Sequence, residues 1–91
     1  NKKEFVVSKQ VLRSGTAIGA MVKESEFAES KADFVHKLSI ALKEANETKY
    51  WLLLLHESEY LDDSSYESVN EDCLNLIRLL VSIIKRMKCA A

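Results

Sequence analysis

The stretch SKADFVHKLSIALKEANETKYWLLLLHES, Ser30 to Ser58, runs for 29 residues without a Gly or Pro. Within it Phe34, Leu38, Ala41, Ala45, Thr48, Leu52 and Leu55 recur at alternating steps of four and three. That spacing predicts the stripe of one continuous amphipathic helix. Ser30 suits its N-cap, with Asp33 three residues on, where a capping box puts its acid. The rod would be about 43 Å long, and propensity alone does not hold so long a helix; it needs partners along its length. Lys37, Lys43, Glu44, Glu47 and Lys49 form a mixed charged face toward solvent. Tyr50 and Trp51 widen the apolar surface near Leu52 to Leu55, as suits a helix with neighbours on two sides.

The flanking segments supply those partners. From Phe5 to Glu24, Val7, Val11, Ile18 and Met21 form one stripe, with Ser14 in its spacing, and Phe5, Leu12, Gly15 and Gly19 form a neighbouring face. The Gly15–Gly19 spacing is expected to let another backbone approach closely; a kink at Ser14-Gly15 is the alternative. Ser25 to Glu29 is a short connection, polar except for Phe27. After Glu59 to Ser65, in which Asp63, Ser64 or Ser65 is expected to start the next helix, that helix runs from about Tyr66 to Lys88. Val69, Cys73, Leu76, Leu80, Ile83 and Met87 make one stripe, and Leu74, Ile77, Val81 and Ile84 a second. A helix so apolar is expected to be buried on more than one side. Leu76, Ile77, Leu80 and Ile84 are the candidate core and oligomer interface, too buried for a monomer to account for.

Bulk composition agrees. The 91 residues (1–91) form one domain, all-α, since there is no Pro and only two Gly to punctuate strands. A net charge of −1 provides no global positive field to draw nucleic acid or an anionic membrane. No apolar run reaches the roughly 18 residues of a spanning helix, and no cleavable signal is visible, so no membrane partner is expected. Cys73 and Cys89 stand about 24 Å apart along one helix and cannot bridge to each other, which suits a reduced, cytoplasmic chain.

Few residues are arranged for chemistry. His36 and His56 are about 30 Å apart by helical rise and cannot share a metal. Glu44 and Glu47 lack the inward His and further carboxylates of a di-metal bundle. No catalytic group, metal site or cofactor is expected, and the chain reads as a non-enzyme. The polar site that stands out is Arg13, in a largely apolar helix, for which Glu24 or Glu47 is the candidate interhelical partner; an exposed Arg13 is the alternative. Lys2, Lys3, Lys9, Lys85, Arg86 and Lys88 are the candidate contacts for a polyanion, although such residues more often make a solvated surface. The seven acids from Glu57 to Asp72, with no Lys or Arg among them, are expected to face the basic start of the first helix.

The run Ser8-Lys9-Gln10-Val11-Leu12-Arg13-Ser14-Gly15-Thr16-Ala17-Ile18-Gly19-Ala20 resembles the signature of the proteins encoded in intervening sequences of bacterial 23S rRNA genes, the S23 ribosomal protein family. Lys31 to Leu38, Ala41 to Ala45, Glu47 to Leu52 and Leu79 to Lys85 continue the likeness. The resemblance implies an antiparallel four-helix bundle, with a helix before the Phe5 segment that is missing here, and assembly into a homopentamer. Met21 stands where the family usually has Asn, and Ala17 where it usually has Ser, so any contact those polar groups make is lost. The family is not known for enzymes. The related accessory variability proteins of diversity-generating retroelements bind nucleic acid and a reverse transcriptase. The implied function is therefore an RNA- or DNA-associated scaffold, or else a protein-binding adaptor whose partner is a reverse transcriptase or a ribosome-associated protein.

Overall fold

The structure, a computed structural model, describes residues 2–89; Asn1, which begins the charged lead-in, lies outside them, as do residues 90–91. Three helices follow one another: α1 (Lys2–Ser25), α2 (Lys31–Glu57) and α3 (Asp63–Cys89).

Local chemistry sets the boundaries. Ser30 caps α2 by accepting the Asp33 amide at 3.0 Å, while the Asp33 carboxylate accepts the Glu29 amide at 3.2 Å. The far end of α2 closes in a Schellman arrangement: the Tyr60 amide donates to the Leu55 carbonyl and the Glu59 amide to the His56 carbonyl, both at 3.0 Å. The closing residue, Glu59, has φ 66°, a left-handed conformation more often given to Gly. Asp62 caps α3, its carboxylate accepting the Ser65 amide at 2.7 Å, and Asp63, one of the three expected starters, is the first helical residue. The helix therefore starts at Asp63, ahead of the expected Tyr66.

Helix α1 runs unbroken through Gly15, so there is no kink. The close backbone approach expected at the glycines does not occur either. A Cβ at Gly15 or Gly19 would meet nothing within 4 Å. Each glycine sits about 100° round the helix from Ser14 or Ile18, the residues that turn inward, and so faces outward.

Helices α1 and α3 each pack along α2 and do not pack on each other. The result is a thin layer, 49 × 21 × 14 Å, with α2 in the middle. This corrects the four-helix bundle: the described residues form three helices side by side, and no strand. The core is the line where all three contribute, with Ile18 from α1, Leu38, Ala41 and Ala45 from α2, and Leu80 and Ile84 from α3. Ala41 and Ala45 are fully buried, and their small size brings the outer helices close to the α2 backbone.

Helix α3 turns its candidate core residues toward α2. Leu80 and Ile84 are buried by this chain's own helices, and Leu76 and Ile77 are partly buried against the same cluster. The apolar residues of α3 that remain in water are Val69 and Leu79.

Candidate functional site

The antiparallel pairing of α1 and α2 brings the middles of the two helices together. Ser14 and Thr48, polar exceptions on two apolar stripes, meet there. The Thr48 hydroxyl donates to Ser14 Oγ at 2.6 Å, and the Ser14 hydroxyl donates to the Val11 carbonyl at 3.3 Å. The Glu44 carbonyl, 2.8 Å from Thr48 Oγ1, is the alternative acceptor for the single Thr48 proton. Ser14 is 0 % exposed, so these hydrogen bonds lie out of water.

One residue before Ser14, the Arg13 side chain leaves α1 at the rim of the same seam and crosses to α2. Its Nη2 donates to the Glu47 carboxylate, its Nη1 lies 3.4 Å from Glu44 Oε2, and its Nε donates to Gln10 at 2.9 Å. Glu44 Oε2 accepts no hydrogen bond, so its tie to Arg13 is an ion pair without hydrogen-bond geometry. Trp51, one turn beyond Glu47, donates its indole N–H to the same carboxylate at 3.2 Å. The Trp51 hydrogen bond, followed by the one from Arg13, holds the Glu47 carboxyl below its ordinary value of 4.5. The Arg13 guanidinium is pushed up, chiefly by its hydrogen bond to Glu47. The Arg13 side chain is 46 % exposed, so the array is a rim feature and not a buried charge.

Of the sequence candidates, then, the structure joins Arg13 to Glu47 and separates Glu24 from both. Glu24 pairs with Lys37 at 3.4 Å. Two members of the array were not singled out from the sequence. Trp51 stands at i+4 from Glu47, a spacing that marks it, and Glu44 reads from the sequence as part of a solvated charged face or an incomplete metal site. The Ser14–Thr48 contact carried a fainter signal, a small polar residue on the apolar stripe of each helix.

The six candidate basic residues do not converge. Lys3 lies beside Leu54, Leu55 and Tyr60 at the end of α2, whereas Lys88 lies beside Lys31 and Val35 at its start. The two basic groups are thus about 40 Å apart along the layer. His56 Nε2 is 2.7 Å from Asp63 Oδ1, and its ring stacks on Tyr66 with centroids 4.2 Å apart, which ties the end of α2 to the start of α3. His36 is exposed. Cys73 donates its thiol to the Ala45 carbonyl at 3.4 Å, and burial pushes that thiol up, away from the reactive thiolate. Among the described residues no three His, Cys, Asp or Glu side chains gather as a metal site, and no helix is long and apolar enough to cross a membrane. Chemically, the arrangement can fix register between two helices. Each of its charged groups already faces an opposite charge.

Comparison with known proteins places this layer. A crystal structure of a protein of unknown function from the S23 ribosomal protein family of Bacteroides thetaiotaomicron superposes with a TM-score of 0.88 at 60% identity, over 93% of this chain and 79% of that one. No curated protein matches. The family model for the 23S rRNA-intervening sequence protein matches residues 1–82. That match spans all of α1 and α2 and most of α3, and the chain belongs to the 23S rRNA-intervening sequence protein family.

Proposed function

We propose that this protein is a non-enzymatic scaffold that acts by self-association, its copies closing into a ring, five of them as the family resemblance implies. The observation that carries this reading is the set of large apolar side chains left in water along both outer helices. Phe5 and Leu12 on α1 are 64 % and 71 % exposed, and Val69 and Leu79 on α3 are 43 % and 56 % exposed. Scattered exposed hydrophobics are ordinary, but here they line both edges of a thin layer, where neighbouring copies would cover them. The convergent polar group supports a structural role as well, because its cation and carboxylates are turned toward one another and not into a cleft. A reducing, cytoplasmic setting is supported by Cys73 and Cys89, both free thiols. An RNA- or DNA-binding scaffold has less behind it, with the basic residues split between opposite ends and a net charge of −1.

The test is the mass of the purified protein by light scattering. The expected value is several times that of one chain. A one-chain mass at tens of micromolar would remove the scaffold reading.

A further inference from the structure

The most exposed large apolar residue described is Phe27, in the connection between α1 and α2, at 76 %. It stands on an ordered turn, not a loose one: its amide donates to the Glu24 carbonyl at 3.0 Å, and the next amide, that of Ala28, to the Ser25 carbonyl at 3.2 Å. Phe27 shares the lining of one open hollow with Glu24, Glu29, Asp33 and Lys37, and Lys37 is engaged by Glu24. Phe27 is thus an apolar knob bordered on that side by a mainly acidic collar.

At the same end of the layer, on the other side of α2, lies an open groove of about 490 Å³. Its floor is Ala32, Val35 and Met87, and its rim carries Lys31 and Lys88. This is the complement of the knob, an apolar socket with a basic rim. On α2 the collar residues Asp33 and Lys37 lie roughly half a turn from Lys31, Ala32 and Val35 at 100° per residue. With the body of α2 between them, one copy cannot fill its own socket.

We propose that the Phe27 knob of one copy seats in the Ala32–Val35–Met87 socket of the next, with acidic collar against basic rim. This inference rests on the self-association proposed above and names the surface that makes it. The geometry also fixes the type of contact. Knob and socket occupy opposite sides of the layer at one height, so side-by-side copies with parallel axes bring them together. A two-fold pair about that axis would instead set knob against knob. The interface is therefore heterologous, the kind that closes rings or extends filaments. A pre-ordered turn lowers the entropy lost on docking, and matched charges favour this partner over a neutral apolar one.

Two exposed positions give the test, Phe27→Asp on the knob and Ala32→Asp in the socket, with helical circular dichroism as the folding control and Phe27→Ser as a second knob variant. Each variant alone is expected at the mass of one chain. Mixed in equal amounts, the two variants are expected to give two-chain particles and nothing larger, because each supplies one working half. A Phe27→Asp protein that keeps the wild-type mass overturns the knob and leaves self-association standing. A mixture that stays at one-chain mass also overturns it. A wild-type protein of one-chain mass defeats the scaffold reading itself.

Discussion

The two flanks of α2 are built from opposite materials. Toward α3 the seam is apolar, with Leu80 and Ile84 set over Ala41 and Ala45 and one thiol donating to a backbone carbonyl. Toward α1 the centre of the seam is polar, with the Ser14–Thr48 contact inside and Arg13, Glu44, Glu47 and Trp51 along the rim. Burial of apolar area is non-directional, so it rewards contact without choosing among nearby registers. A hydrogen bond fails over about an ångström, so it does choose. On this comparison the α3 seam holds by apolar burial, and α1 is the helix whose position is specified.

The largest test of that division is Leu80→Ala. Leu80 is 2 % exposed at the middle of the apolar seam, and truncating such a residue costs about 2–5 kcal/mol. The expected result is an unfolding free energy, read from a urea titration, lowered by that amount, with the midpoint lowered in proportion. A loss below about 1 kcal/mol, well short of that range, would mean that apolar burial is not what holds the α3 seam.

The next is a double-mutant cycle on the polar seam. Ser14→Ala and Thr48→Val are each expected to cost about 1 kcal/mol, because each removes the hydrogen bond between the two buried hydroxyls. Together they should cost less than the sum, with a coupling of about 0.5–1.5 kcal/mol. Additive losses would show that the two hydroxyls act separately and that register is set elsewhere.

The same contrast explains what the sequence made legible. The stripe from Phe34 to Leu55 and the Ser30 cap are local, since period and capping depend on residues within a turn or two. They predicted α2 to within a residue at each end. Contacts between helices depend on a register that no local window contains. Ser14 and Thr48 lie 34 positions apart and meet only once the antiparallel alignment is set. Charge logic narrowed the partner of Arg13 to Glu24 or Glu47 but could not choose; the alignment gave Glu24 to Lys37. The Gly15–Gly19 spacing misled for a related reason: it shows that a face is bare but not what lies against it. Phe27 was visible as the large apolar residue in a polar connection, whereas the groove that complements it is assembled from two helices and had no signal in either one.

The smallest expected effect lies at the rim of the polar seam. The ordinary value for a glutamate carboxyl is 4.5, and Glu47 is held below it in the folded chain. A carboxyl lowered by folding contributes stability that is complete above the unfolded value and is lost as pH falls through the folded one. The contribution is modest, because Arg13 is half in water and its pairing is screened by solvent and weakened by salt. It is nonetheless readable, since Trp51 is the only tryptophan and its indole N–H touches the titrating carboxylate. Trp51 fluorescence is expected to show an acid transition with a midpoint below 4.5, absent in Glu47→Gln. In Arg13→Gln the midpoint should rise only part of the way to 4.5, because the Trp51 hydrogen bond, the larger cause of the shift, remains. An Arg13→Gln midpoint equal to that of the wild type would take Arg13 out of the seam and leave the register of α1 to Ser14 and Thr48 alone.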